Sequence, residues 1–309
     1  KFNPKFAMAY SNLGSILCDL GNLKEAEIAQ RKAIEINPDF ANAYCNLGTI
    51  LKHLGNLKEA EIAQRIAIRI NPLFLGAYLN LGNILGDIGR LEEAEKYYRK
   101  AIDINPNYTY AHLNLGNILR DLGKLDEAEL AVRKAVELDP NFADAYFNLS
   151  YLELLKGDYQ AGLKHYEFRF KKKKPTIIHG NTKLQRIDNE KFKKREKLLI
   201  VSEQGLGDTL QYMRFIPYLR KKGFDLSFCA QEKLHSLIKI SGIDANPLTP
   251  EQSTLVTEGY WMPMLSLPGY LHITPSNPII SEPYISSTNE LTKKWKDILS
   301  KEIRPIIGI

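Results

Sequence analysis

Asparagine recurs once every 34 residues along the first half of this 309-residue chain, at Asn12, Asn46, Asn80, Asn114 and Asn148. A carboxamide carries a hydrogen-bond donor and an acceptor together. A row of carboxamides can therefore pair with the N–H and C=O groups of an extended peptide without reading its side chains. This pattern predicts a protein or peptide partner. The alternative is that these asparagines are only solvated or bond to a neighbouring helix.

The segments that carry this row repeat with the same period. Asn-Pro or Asp-Pro recurs at Pro4, Pro38, Pro72, Pro106 and Pro140, and a glycine divides each unit into two helical patterns. The asparagine lies on the face of the first helix that the core does not use. One helical hairpin cannot bury its apolar face until a neighbour covers it, so a period of this length is typical of a stacked array. The first half is therefore predicted to be an α solenoid.

The repeated positions resemble the tetratricopeptide repeat (TPR) signature. One unit carries Tyr44, Leu47, Gly48, Leu51, Gly55, Ala60, Ala67 and Pro72 in these positions. The resemblance covers residues 1–174 as the tail of one repeat, four full repeats and a degenerate repeat from Ala143, and it predicts further repeats upstream. It implies a superhelix whose first helices line a concave groove. O-GlcNAc transferases hold protein substrates on an asparagine ladder that is similar to this one.

Composition limits the other classes of function. No apolar run approaches the ~20 residues that a membrane span needs, and no signal peptide is visible. Cys18, Cys45 and Cys229 have neither disulfide nor metal-ligand spacing, so we expect a cytoplasmic protein without a metal site.

Positive charge is concentrated in one segment. Between Lys164 and Lys197, 13 Lys or Arg residues outnumber four acids, although the whole chain is only +6. Such a segment could meet the phosphates of a nucleic acid or an anionic membrane. The lysine run ends at Pro175, and no amphipathic or aromatic-interleaved pattern follows it. This favours a solvated connector over residues 175–196.

Strand and helix patterns alternate over residues 197–309. Lys197–Ser202, Phe224–Ala230 and Trp261–Leu267 read as strands, and 209–222 and 232–241 read as helices. This order predicts a mainly parallel sheet in a Rossmann-like α/β domain, with ligands at the carboxyl ends of its strands. A Gly-rich turn over 203–208 lies at such an end. It is neither a dinucleotide fingerprint nor a P-loop.

This turn resembles the first loop of heptosyltransferase-like glycosyltransferases, which have the GT-B fold. The matching run is Gly205-Leu-Gly-Asp208-Thr-Leu-Gln211, and residues 260–268 resemble segments of bacterial TPR proteins with such a domain. The resemblance implies that Asp208 is the base that takes a proton from the acceptor hydroxyl. Asp208 can instead cap a helix that begins at Thr209. Further residues implied for the loop and the cleft are Gly205, Gly207, Gln204, Gln211, Tyr212 and Arg214.

Two functions follow from these patterns. In the first, the solenoid recruits a protein or peptide acceptor to the glycosyltransferase-like domain of an enzyme that uses a nucleotide sugar. Residues 304–309 read as the opening strand of the second GT-B half, so the donor site is expected outside this chain, which by itself would be inactive and hold no cofactor. The alternative is a non-catalytic scaffold for protein–protein interaction.

Overall fold

The computed structural model describes residues 4–187, 196–278 and 283–299. The chain divides into two compact units, Lys1–Gly157 and Asp158–Ile309. Within the described residues, no helix is both long enough and apolar enough to cross a bilayer.

The first unit is a row of helical hairpins, which confirms the predicted solenoid. Consecutive helices pair as α1 with α2, α3 with α4, α5 with α6 and α7 with α8, and α9 follows them. Their bounds are α1 Pro4–Asp19, α2 Leu23–Ile36, α3 Ala41–His53, α4 Leu57–Ile70, α5 Leu75–Asp87, α6 Leu91–Ile104, α7 Thr109–Asp121, α8 Leu125–Leu138 and α9 Ala143–Lys156.

Two local devices produce each hairpin. The glycine between the paired helices is left-handed, with φ +81° at Gly55, a conformation that costs glycine nothing and a side chain about 1–2 kcal/mol. The residue before Pro38, Pro72, Pro106 and Pro140 closes an Asx turn, as when the Asn71 side-chain oxygen accepts the N–H of Leu73 at 3.1 Å. The Asn-Pro repeat is thus a turn signal.

Small residues let the two helices of a hairpin approach closely. Ala26, Ala60, Ala94 and Ala128 are fully buried. The repeated glycine of the first helix faces the second helix across a very short gap: a Cβ placed on Gly82 would lie 2.8 Å from the ring of Tyr98. The periodic Gly and Ala positions are therefore packing positions.

The fourth repeat keeps one tertiary contact although its aromatic residue differs. The Tyr78 hydroxyl donates to the carbonyl of Pro72 at 3.1 Å. Thirty-four residues later, His112 Nε2 lies 2.7 Å from the carbonyl of Pro106, which can only accept, so Nε2 carries the proton. Histidine therefore replaces tyrosine without losing the bond to the preceding turn.

The second unit contains a four-stranded parallel sheet in the order β1-β4-β2-β3. Its strands are β1 Gln185–Arg186, β2 Lys197–Val201, β3 Asp225–Cys229 and β4 Tyr260–Pro263. Its helices are α10 Tyr159–Tyr166, α11 Leu206–Tyr212, α12 Phe215–Lys221, α13 His235–Ile240, α14 Pro250–Ser253, α15 Leu267–Tyr270 and α16 Asn289–Leu299. Residues 198–201 of β2 are all buried, as expected for a central parallel strand.

Two expectations differ from this arrangement. The helix expected over 209–222 begins at Leu206 and breaks after Tyr212, which places Asp208 inside its first turn rather than before it. The solvated connector instead supplies β1, whose Arg186 pairs with Trp261 of β4. The first compact unit ends at Gly157, and α10 packs on α15 within the second unit. The expected end of the repeat array at residue 174 stays a prediction.

The remaining expectations for this half have a mixed outcome. Parallel strands at the three expected places are present, but the sheet is small, and a Rossmann-like half of a GT-B fold stays a prediction. The strand expected over 304–309 and part of the connector, 188–195, lie outside the described residues.

Candidate functional site

The asparagine row is tied together by hydrogen bonds between successive first helices. Each bond runs from an asparagine Nδ2 to the residue 31 positions earlier, which lies on the preceding first helix. The pairs are Asn46 with Ser15 at 3.1 Å, Asn80 with Thr49 at 3.1 Å, Asn114 with Asn83 at 3.2 Å and Asn148 with Asn117 at 2.9 Å. The row is therefore a ladder of contacts between neighbouring repeats.

These bonds leave the carboxamide oxygens open. Asn46, Asn80, Asn114 and Asn148 are half-buried, yet no group of the described residues donates to their Oδ1 atoms, and none of these atoms is sealed from solvent. Asn12, at the start of the row, is exposed. The sequence predicts a row of paired donors and acceptors, whereas the ladder uses at least one N–H of each Nδ2 within the protein and leaves each Oδ1 as an open acceptor.

The two sides of the array are linked by different sets of side chains. First helices are joined by Asn with Ser, Thr or Asn, and α3 is also joined to α5 by the ion pair of Lys52 Nζ with Asp87 Oδ2 at 3.0 Å. Second helices are joined by Arg and Glu, as in Arg31 Nη2 to Glu59 Oε2 at 3.0 Å and Arg99 Nη2 to Glu127 Oε2 at 2.7 Å. Successive first helices contact one another, and the asparagine row lies along this side of the array.

An exposed aromatic residue adjoins the row and was missed in the sequence. Tyr110 lies four residues before Asn114 on α7, hence on the same helical face. It is 55% exposed and packs edge-on against Phe142, with ring centroids 4.9 Å apart. No periodic signal could identify it, because the equivalent positions hold Met8, Asn42 and Gly76. It offers an apolar contact beside the polar row.

The Gly-rich turn of the second unit follows β2 at the carboxyl edge of the sheet. Asp208 is the third residue of α11, and its Oδ2 accepts the N–H of Gly205 at 3.0 Å, which is half of a capping box. Gln204 has a left-handed backbone, φ +60°, and its Nε2 donates to the Tyr166 hydroxyl at 3.1 Å. Gln204, Gly205 and Asp208 therefore lie together at the start of α11.

The other residues predicted for this turn lie around it. Gly207 is exposed with open space where a Cβ would stand. Gln211 is exposed, and its carbonyl accepts from Arg214 Nε at 2.7 Å. The ring of Tyr212 packs against the core of the unit. In the described ranges, no group of three or more His, Cys, Asp and Glu side chains is placed to hold a metal ion.

A buried ion pair holds Glu203, the first residue of the Gly-rich turn. Glu203, directly before Gln204, accepts from Arg169 and from the N–H of Leu265 at 2.9 Å. Arg169 lies between the rings of Tyr166 and Phe170, 4.5 and 4.2 Å from their centroids. Charge counting placed Arg169 in the basic segment, and only the three-dimensional structure shows that it belongs to the interior.

Comparison with known families confirms the repeats. Tetratricopeptide repeat models match residues 7–40, 29–62, 76–108, 109–142 and 131–164. The chain therefore contains TPR repeats, a class that mediates protein–protein interaction. These matches end at residue 164, so the resemblance of the second unit to glycosyltransferases stays a prediction. No curated protein is similar enough to this chain to count as a match.

Solved structures agree on the repeat fold. PilF of Pseudomonas aeruginosa is 24% identical with a TM-score of 0.50, over 53% of this chain and 75% of that chain. PilW, a type IV pilus biogenesis factor, is 22% identical with a TM-score of 0.50, over 52% and 75%. YrrB, a TPR protein with an unusual peptide-binding site, is 27% identical over 52% and 84%, with a TM-score of 0.44. The first two show the fold of about half the chain.

Proposed function

We propose that the solenoid binds an extended segment of a partner protein along the asparagine row from Asn12 to Asn148. The observation that carries this proposal is the set of open Oδ1 atoms, repeated once per hairpin and held in place by the Nδ2 bonds to the preceding helix. A fixed side chain loses little rotamer freedom on binding, which lowers the entropic cost of association.

The two unpaired buried thiols, Cys45 and Cys229, suit a reducing compartment, and we place the interaction in the cytoplasm.

The chemistry of the row specifies what it recognises. Acceptor oxygens pair with donors, so the partner contributes backbone N–H groups rather than carbonyls. Tyr110 then takes an apolar side chain of the same segment at the Asn114 end of the row. Recognition through N–H groups tolerates many sequences, whereas the aromatic contact adds a preference at one position.

A peptide selected from a random library provides the probe. Its affinity for the chain is measured by fluorescence anisotropy, and single backbone N–H groups are then replaced by N-methyl groups. Methylation at alternate positions is expected to weaken binding, with a loss of about tenfold for each bond to a fixed acceptor. Affinity that is unaffected by methylation at every position contradicts the proposal.

Variants of the row complete this experiment. Asn80→Ala with Asn114→Ala removes two acceptors and is expected to weaken binding about tenfold or more. Asn107→Ala, an exposed asparagine in the turn before α7, is the matched control and is expected to bind normally. Asn12→Ala tests the first position of the row. No described residue bonds to the Asn12 side chain, so weaker peptide binding in this variant cannot be attributed to a lost contact within the protein.

A second candidate function is transfer of a sugar from a nucleotide sugar to the recruited protein. The position of the Gly-rich turn favours this function. The turn follows a buried parallel strand at the carboxyl edge of the sheet, which is where α/β proteins bind their ligands. In this proposal Asp208 is the base for the acceptor hydroxyl, Gly205 and Gly207 shape the loop, and Gln204 and Gln211 line the cleft. No described residue is assigned to the donor.

Asp208→Asn separates this role from capping. Asparagine keeps a side-chain oxygen for the N–H of Gly205 but cannot take a proton, whereas Asp208→Ala loses both. With the natural full-length protein, transfer from a nucleotide sugar is expected to fall at least a hundredfold in both variants. Unchanged transfer in Asp208→Asn removes the catalytic role. Absence of transfer and of nucleotide-sugar hydrolysis in the unaltered protein favours the non-catalytic scaffold.

A further inference from the structure

A cavity of about 500 Å³ lies in the second unit between α10 and the segment that follows β4. Its volume is in the range of small-molecule sites. It opens near Ser266, three residues after β4 ends, which places it at the carboxyl edge of the sheet. None of the residues of the Gly-rich turn lines it, so it is separate from the candidate site around Asp208.

Four polar side chains that line this cavity have no hydrogen-bond partner in the described part of the chain. Tyr159 and Gln160 begin α10, Lys164 follows about one turn later, and His272 comes from the segment after α15. Gln160, Lys164 and His272 are also exposed. These four groups provide donors and acceptors for a ligand.

Among the described residues that line the cavity, Lys164 is the one cationic side chain and Glu167 the one acidic side chain. Two guanidinium groups bond to the Glu167 carboxylate: Oε1 accepts at 2.8 Å from Arg169, which is shared with Glu203, and Oε2 accepts from Arg186. Its Oε1 also accepts from the Ser266 hydroxyl at 2.8 Å. No described acidic side chain forms an ion pair with the Lys164 ammonium. An anionic group that enters the cavity therefore meets an ammonium group that is not already paired.

His272 occupies a position that the backbone favours for glycine. Its φ is +50°, just after α15, where its N–H bonds to the carbonyl of Gly269 at 3.2 Å to end the helix. A side chain in this left-handed conformation is mildly strained, and such residues concentrate at ligand sites. His272 is one of the residues that line the cavity.

Apolar residues also line the cavity. They include Leu163 and Ile273, and a Cβ on Gly269 would touch the Leu163 side chain at 3.5 Å. Apolar groups combined with an amide, hydroxyl groups and one ammonium group suit a ligand that has C–H faces, several hydroxyl groups and one negative charge.

We propose that this cavity binds a small anionic polyol, a molecule with one phosphate or carboxylate group beside several hydroxyls. Lys164 and His272 hold the anionic group. Gln160, Tyr159 and Thr274 bond to the hydroxyls, and Leu163 with Ile273 packs on the carbon skeleton. This proposal does not depend on peptide binding to the asparagine row, so the two proposals can be tested independently.

Isothermal titration calorimetry of the whole chain at neutral pH tests this proposal with four probes. Glucose 6-phosphate and gluconate each combine an anionic group with hydroxyls, and at least one of them is expected to bind saturably. Glucose lacks the anionic group and inorganic phosphate lacks the carbon skeleton, so both are expected to bind at least tenfold more weakly. Failure of both anionic polyols, or equal affinity for inorganic phosphate, overturns the proposal.

The two anionic probes distinguish the sources of the charge. Tighter binding of glucose 6-phosphate assigns a phosphate group to the Lys164 end, and tighter binding of gluconate assigns a carboxylate there. Either result supports an anionic polyol.

Two variants test the assigned residues. Lys164→Gln is expected to weaken binding of the better probe about tenfold, because a charge-assisted hydrogen bond is lost. His272→Gly is expected to weaken binding by a similar factor while the melting temperature stays unchanged or rises, since glycine relieves the left-handed backbone. Weaker binding in a variant of equal or greater stability cannot be explained by misfolding.

Lys173→Gln is the matched control. This exposed lysine belongs to the same unit, and its replacement removes the same charge away from the cavity, so affinity should not change. Equal affinity of the unaltered chain, Lys164→Gln and His272→Gly overturns the proposal.

Discussion

Arg169 and Glu203 form a two-point ion pair in the interior of the second unit. Arg169 Nε lies 2.8 Å from Glu203 Oε2, and Nη2 lies 2.9 Å from Oε1. Both side chains are fully buried. Because Glu203 is the first residue of the Gly-rich turn, the pair joins the segment after α10 to the backbone that positions Asp208.

Removal of one partner of this pair should destabilise the second unit. Arg169→Met leaves a buried carboxylate without its counter-ion, at a cost of about 3–5 kcal/mol. Arg169→Met with Glu203→Leu removes both charges and is expected to recover most of that loss. Urea denaturation followed by tryptophan fluorescence measures the effect, because both tryptophans, Trp261 and Trp295, belong to this unit. A single variant as stable as the unaltered chain would show that the pair contributes nothing.

The asparagine ladder should contribute to the stability of the array independently of binding. Thr49→Val removes the hydroxyl that accepts from Asn80 but keeps the shape of the side chain, and it is expected to lower the free energy of unfolding by about 1 kcal/mol. Asn80→Ala should act similarly. Far-UV circular dichroism during urea denaturation measures both. Asn12→Ala, which breaks no bond between described repeats, is the control and should leave the midpoint unchanged.

Close packing of the hairpins predicts that Gly82→Ala is destabilising. The added Cβ would lie 2.8 Å from the Tyr98 ring, which must shift, at a cost of about 1–3 kcal/mol. Gly207→Ala adds the same methyl group on α11 where nothing lies within 4 Å, and it is expected to be neutral or slightly stabilising. Thermal melts of the two variants provide the comparison. Equal effects would contradict the packing role.

Alkaline pH should destabilise the chain through its buried thiols. Burial raises the pKa of Cys45 and of Cys229 to about 11, from an ordinary value of about 8.5. The folded state therefore favours the neutral thiol. Its contribution is complete below about pH 8.5 and is lost as pH rises toward 11, because only the unfolded chain ionises in that window. The loss is up to about 3 kcal/mol per thiol.

Urea midpoints between pH 7 and 11 measure this loss. The slope with pH should be smaller in Cys45→Val and in Cys229→Val than in the unaltered chain, whatever the absolute stability of each variant. A slope that does not depend on either cysteine contradicts the prediction. Native-state alkylation at pH 8 should modify Cys18, which is half-buried, before the two buried thiols.

Local sequence determined the repeats because each device acts within a few residues. Gly55 makes its turn through its own φ, Asn71 closes an Asx turn two residues away, and Ala60 packs within one hairpin. The same period placed the asparagines on one face of each first helix. These features depend on spacing alone, and spacing is visible in one sequence.

The tertiary structure decided what those residues contact. Each asparagine Nδ2 of the ladder bonds to the residue 31 positions earlier. This bond depends on how the hairpins stack, and no local sequence pattern specifies it. Asp208 lies within the first turn of α11 rather than before it, because the helix begins at Leu206 with Gly205 as its cap. Arg169 looked like one cation among many, since burial and the distant Glu203 arise only when segments far apart in the chain pack together.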